Sequence, residues 1–205
     1  VPAVPNVLGT PDSRFSGRER SVDPANAGKQ GRPPGACGYL HVYTGDGKGK
    51  TTAAFGLAVR ALCAGQSVYI GQFVKSMRYN ETKIEGIFDR MRIEQLGRGC
   101  FIGHDPEPAD VGMAREGLAR CRALLVSGEY DLVILDELTI ALYYRLLTVD
   151  EVLDALRARH PSVEVVVTGR YAPQELVDEA DLVTEMREVK HYYTQGVLSR
   201  EGIDR

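Results

Sequence analysis

The chain has 205 residues, 43% of them hydrophobic and 26% charged, a composition suited to one soluble domain with or without a tail. Its formal net charge of -3, from 25 Lys+Arg against 28 Asp+Glu, argues against a nucleic-acid binder driven by bulk positive charge. No apolar run is long enough to span a bilayer and no apolar leader opens the sequence, so a cytoplasmic protein without a membrane partner is expected.

Residues 1–38 hold six of the ten prolines and six of the 22 glycines. Few large apolar residues accompany them, so this segment is expected to be a flexible Pro/Gly-rich arm. The texture changes at Tyr39, and the domain is expected to run over 39–205. Tyr39 to Tyr43 is β-prone. Lys50 to Ala64 places Ala54, Leu57, Ala58, Ala61 and Leu62 at helical spacing, with Gly65 to close the helix. Val68 to Val74 reads as a buried strand, Asn80 to Arg90 as a short helix, and Arg92 to Leu96 as a short strand. Glu107 to Val126 repeats Val111, Ala114, Leu118, Cys121 and Leu125 on one helical face. Asp131 to Leu135 is a strand. Thr148 to Ala158 begins with a Thr-x-x-Glu capping box. Val163 to Thr168 is a strand, Pro173 opens a helix, and Leu182 to Thr184 is a last strand. Apolar strands alternating with helices predict a three-layer α/β fold of the RecA-like P-loop type, its sheet mostly parallel.

The sharpest motif is Thr44-Gly-Asp-Gly-Lys-Gly-Lys-Thr-Thr52, between a predicted strand and a predicted helix. Its glycines, Gly45, Gly47 and Gly49, let backbone N–H groups turn inward as an anion nest, and Asp46 lies among them. The helix beginning at Lys50 adds its positive dipole end. Lys50 supplies a charge for a terminal phosphate, and the Thr51 hydroxyl is a Mg²⁺ ligand candidate. Thr44 stands where the usual G-x-x-x-x-G-K-[ST] pattern has its first glycine, so a modified loop path is expected. Leu132-Val-Ile-Leu-Asp136-Glu137 ends an apolar strand on two acids, placing Asp136 where it can hold the metal opposite Thr51. Thr168-Gly-Arg170 ends the next strand. Arg170 there is either a bidentate phosphate clamp or a surface ion-pair partner. The cysteines (Cys37, Cys63, Cys100, Cys121) form no C-x-x-C pair, and the histidines are scattered, so reduced thiols and no His/Cys metal cluster are expected.

Taken together, residues 44–56, Gln72-Phe-Val-Lys75, Leu135-Asp-Glu-Leu-Thr139, Thr168-Gly-Arg170, Val189-Lys-His191 and Gly202-Ile-Asp204 resemble the motifs of the P-loop ATP:corrinoid adenosyltransferases, the cob(I)yrinic acid a,c-diamide adenosyltransferase family. The resemblance covers Tyr39 onward and leaves out 1–38. It implies transfer of the 5′-deoxyadenosyl group of ATP to the Co(I) of a reduced corrinoid, with triphosphate released, in adenosylcobalamin biosynthesis or salvage. It also implies that ATP lies in the loop reversed relative to P-loop hydrolases. Lys48 and Lys50 would contact phosphates, with Thr52 beside them. Thr51 and Glu137 would ligate Mg²⁺, with Mn²⁺ an alternative, Asp136 would support the metal, and Arg170 would steady the nucleotide. Lys50, Glu137 and Arg170 are thus the catalytic candidates. A homodimer and a flavoprotein reductase are the implied partners. The family's Phe/Trp wedge beside cobalt has no tryptophan counterpart here. Phe101 or Ile102 is its candidate replacement. Cys100 and His191 are discounted as cobalt ligands, because an axial donor opposes Co(I). Two other readings remain open. A P-loop kinase or ATPase would release ADP, and a nucleotide-gated corrinoid carrier would bind both ligands without turnover.

Overall fold

A computed structural model describes residues 37–75, 79–99 and 106–204. The strands are β1 (Leu40–Thr44), β2 (Val68–Gln72), β3 (Met91–Gln95), β4 (Leu132–Asp136), β5 (Glu164–Thr168) and β6 (Leu182–Glu185). They form one sheet in the order β3-β2-β4-β5-β1-β6, and every pairing is parallel. The helices are α1 (Lys50–Cys63), α2 (Pro108–Ser127), α3 (Leu138–Tyr143), α4 (Val149–Arg157) and α5 (Gln174–Glu179).

The apolar runs explain the layering. Every residue of β2 and β4 is buried, as a sheet covered on both faces requires. Leu132 and Ile134 point to the α1 face, into a cluster with Val68, Ile70, Ala54 and Ala58. Val133 and Leu135 point the other way, into a cluster with Leu118, Cys121 and Leu125 of α2 and Val152 and Leu156 of α4. The expected capping box is present on α4: Thr148 Oγ1 accepts from the Glu151 N–H at 3.2 Å, and Glu151 Oε2 accepts from the Thr148 N–H at 2.8 Å.

Three segments differ from expectation. Asn80–Gly86 is a 3-10 helix rather than an α-helix reaching Arg90. Thr82 is its one buried residue, so no apolar stripe favours longer helical turns. Thr82 Oγ1 bonds back to the Tyr79 carbonyl and Lys83 Nζ to Asn80 Oδ1, both at i−3 spacing. Helix α3 was not expected, and neither was the short 3-10 turn Tyr192–Gln195. Both are shorter than the window in which periodicity is readable. The arm 1–38 lies outside the described residues except for Cys37 and Gly38. Gly38 is fixed by its N–H to the Pro161 carbonyl at 2.8 Å.

The chain leaves β1 for β2 on one side of the sheet and later returns to β5 and β6, which flank β1. The carboxyl ends of β1, β4 and β5 therefore meet at the edge where parallel sheets bind ligands.

Candidate active site

The phosphate loop leaves the carboxyl end of β1 and enters α1 through Gly49, whose φ of 118° a side chain would strain. No side chain caps α1, so its first N–H groups remain available to an anion. The spacing of the glycines follows from what the loop packs against. Residues 186–187, just past β6, run directly beneath it. The Met186 N–H donates to the Thr44 carbonyl at 2.8 Å, and the Gly47 N–H donates to the Met186 carbonyl at 2.7 Å. A Cβ on Gly45 would strike the Met186 carbonyl oxygen, and one on Gly47 would sit 2.7 Å from the same atom.

Lys50 is buried and points into the loop. Its Nζ donates to the carbonyls of Gly45 at 2.6 Å and Gly47 at 2.7 Å. Burial, and then the charge of Arg170, lower its pKa from the usual lysine range. The negative charge of an incoming phosphate would oppose both effects. Arg170 is exposed and reaches the loop as well, its Nη2 donating to the Asp46 carbonyl at 3.2 Å. The contact is to backbone rather than to a carboxylate. Lys48 turns outward to Asp204 and to the Ile203 carbonyl. Thr52 is exposed at the mouth of a cavity of about 400 Å³. Lys48, Thr51 and Phe55 form one wall of that cavity, Asn80 and Glu81 a second, and Gly202 to Asp204 a third.

The acids behave differently from each other. Asp136 is fully buried and collects four donors. Thr51 Oγ1 and Thr168 Oγ1 reach its Oδ1 at 2.9 and 2.7 Å, and Gln72 Nε2 and Lys75 Nζ reach its Oδ2 at 3.0 and 2.8 Å. Burial alone would push the carboxyl up. The Lys75 ammonium, with the Thr168 and Gln72 bonds, outweighs that and holds it below the usual range. Glu137 follows in a left-handed conformation, φ 59°, that costs a non-glycine residue. The Glu137 N–H donates to Thr168 Oγ1 at 3.0 Å, while no hydrogen bond or ion pair holds its carboxylate among the described residues. Burial, and then the Asp136 charge, raise the Glu137 pKa. A half-buried carboxylate short of a cationic partner is a hard-oxygen donor of the kind magnesium takes. The turn Thr168-Gly-Arg170 is pinned to α3, Thr139 Oγ1 donating to the Arg170 carbonyl at 2.7 Å.

Sequence reasoning named the loop, Asp136, Glu137 and Arg170, and the structure brings them to one sheet edge. It assigned no role to Gln72, Lys75, Thr139, Thr168 or Asp204, although each lies in a motif quoted for the resemblance. Their signal was present, but their partners stand on other strands or far along the chain. His191 caps its own 3-10 turn, its Nδ1 accepting from the Tyr193 N–H at 3.0 Å. Phe101, Ile102 and Cys100 lie outside the described residues.

A parallel sheet with a glycine-lined phosphate loop on one strand and paired acids at the end of another defines a P-loop nucleotide-binding protein. The fold alone is shared with the solved flagellar accessory protein FlaH of Methanocaldococcus jannaschii, at a TM-score of 0.51 and 13% identity over 74% of this chain and 73% of that one. The family model of the ATP:corrinoid adenosyltransferases BtuR/CobO/CobP matches residues 36–204. The corrinoid adenosyltransferase of Escherichia coli K12 is 33% identical over 94% of this chain and 98% of its own. That of Pseudomonas aeruginosa is 37% identical over 82% and 83%. The chain belongs to the ATP:corrinoid adenosyltransferase family. An alignment spanning 94% of the chain also reaches back into the first 38 residues, where the motif resemblance had stopped.

Proposed function

We propose that the chain transfers the 5′-deoxyadenosyl group of ATP to the Co(I) of a corrinoid. An electron pair on cobalt forms the cobalt–carbon bond, the C5′–oxygen bond breaks, and its electrons leave with triphosphate. The nucleophile belongs to the substrate, so the protein's work is to hold the leaving polyanion, balance its charge and set C5′ in line. The observation that carries this reading is the junction at Asp136, where the Thr51 hydroxyl ties the phosphate loop to the acidic strand in a chain of this family.

The roles follow from the chemistry of each group. The backbone N–H groups of the loop, Lys48 and Lys50 hold triphosphate oxygens. Arg170, already within reach of the loop, adds a fork of donors. Glu137 and Thr51 are the oxygen ligands for Mg²⁺, with Mn²⁺ an alternative for the same donors. The ion would supply charge neutralisation on the leaving group. Asp136 is saturated by its four donors, and its part is to orient Thr51. Phe101 is the candidate apolar wedge on the corrinoid side. A cytoplasmic homodimer served by a flavoprotein reductase, with 1–38 as a flexible arm, completes the proposal.

The test is anaerobic. The protein is mixed with cob(II)alamin, a strong reductant, Mg²⁺ and ATP, the visible spectrum is followed, and polyphosphate products are assayed. A light-sensitive alkyl-cobalt spectrum with stoichiometric triphosphate is expected. ADP and phosphate without cobalt alkylation would mean a kinase or ATPase, and spectral binding without product would mean a carrier.

A further inference from the structure

The segment 192–204 lies across the mouth of the phosphate loop, and little apolar burial holds it there. Residues 193–203 are all exposed. Leu198 is 73% and Ile203 63% accessible. What fixes the segment is polar and centred on Asp204, whose side chain is only 9% exposed. Its Oδ1 accepts from Lys48 Nζ and from the Tyr192 hydroxyl, and its Oδ2 accepts from the Arg200 N–H at 3.0 Å and from Arg200 Nε at 3.2 Å. Arg200 also lies over the Tyr192 ring, 4.8 Å from its centroid. Lys48 Nζ adds a bond to the Ile203 carbonyl at 3.2 Å. The segment thus offers a phosphate-loop lysine one carboxylate and one carbonyl oxygen, the kind of partners a phosphate would supply.

We propose that Asp204 is a positioning residue that acts through Lys48: it holds the ammonium at the loop mouth when no polyphosphate is bound, competes with polyphosphate for it, and so weakens retention of the triphosphate product. The proposal rests on the reading of 44–52 as the triphosphate site. A ligand with several anionic oxygens outbids one carboxylate for Lys48, and a segment with so little buried surface opens at small cost. When triphosphate leaves, Asp204 recaptures Lys48. The carboxylate therefore tunes affinity for the charged end of the nucleotide, and the 400 Å³ cavity it helps to wall widens when the segment lifts.

Binding of inorganic triphosphate, with Mg²⁺, is measured by calorimetry on the full chain and on Asp204→Asn, Lys48→Ala and the double variant. Asp204→Asn is expected to bind about two- to fivefold more tightly, the range of a partly exposed charge pair. In turnover it should show stronger inhibition by added triphosphate. In the Lys48→Ala background the same change should have no effect, which separates competition for Lys48 from a general loosening of the segment. In the parent protein, amide exchange over 197–204 should speed up on saturation with triphosphate. Weaker or unchanged binding by Asp204→Asn, an effect that survives in Lys48→Ala, or slower exchange on binding would each overturn the proposal. Failure of the parent chain to bind triphosphate would overturn the phosphate-loop reading along with it.

Discussion

Replacing Lys75 by Met tests the electrostatics on which the acidic strand rests. The Lys75 side chain is 18% exposed and its partner, Asp136, 0%. Removing the ammonium leaves a buried carboxylate with three neutral donors, Thr51, Thr168 and Gln72. Breaking a buried pair typically costs about 3–5 kcal/mol, and the remaining donors favour the lower end, about 3 kcal/mol. With a urea dependence of about 2 kcal/mol per molar, the unfolding midpoint should fall by about 1.5 M at pH 7.5. The pH dependence carries a sign. In the parent, Asp136 is held below its usual range, so the pair contributes stability above the usual carboxylate range and loses it as pH falls through the depressed value. In Lys75→Met, burial raises the Asp136 pKa, so the deficit should narrow as pH drops toward the carboxylate range. Removing both charges, with Asp136→Asn added, should restore about half of the loss. A midpoint within about 0.5 M of the parent at pH 7.5, or a deficit that widens on acidification, would refute the ion-pair argument.

Loss of the loop hydroxyl or ammonium should be felt in catalysis rather than folding. Thr51→Ala and Lys50→Ala are each expected to lower kcat by about 10²-fold or more, and full turnover at saturating Mg²⁺ would remove them from the site. Glu137 has a raised pKa, so a cation must displace a proton from it across the upper carboxylate range. Mg²⁺-dependent ATP affinity should rise with pH there, and Glu137→Gln should flatten that slope. An unchanged slope in a titration of Mg²⁺ at several pH values would clear Glu137 of the role. Gly45→Ala adds a Cβ at φ 96°, against the Met186 carbonyl. It should cost about 2 kcal/mol, and a thermal midpoint equal to the parent's would show that the loop backs away freely.

Much of this architecture was readable because each strand is a short apolar run bounded by polar or glycine punctuation. All six strand positions were legible to within two residues, and α2 and α4 showed their buried faces directly. The loop was legible because its chemistry is local: nest, lysine and hydroxyl follow one another in nine residues. Of the Asp136 junction only the facing of Thr51 was legible, because the other three donors come from the end of β2, the residue after Phe73 and Val74, and β5. Strand adjacency is a property of the finished sheet, and no periodicity records that β5 separates β1 from β4. The tie between Lys48 and Asp204 spans 156 residues and depends on a segment with almost no apolar pattern to place it.

The sandwiching of β1 between β5 and β6 also orders events during synthesis. Among the described strands β1 is the first to leave the ribosome, yet its two partners are the last. The Leu40 N–H waits for a carboxylate 141 residues later, at Asp181, and the loop waits for Met186 to pass beneath it. A nascent chain that has completed β4 owns Lys50 and Asp136 but lacks the floor that shapes the loop. Nucleotide therefore cannot serve as an early ligand that pulls the polypeptide into shape, and the first strand spends most of translation with both edges open to pairing. Emergence of residues 181–187 would be the step that turns a collapsed chain into one able to grip a polyphosphate.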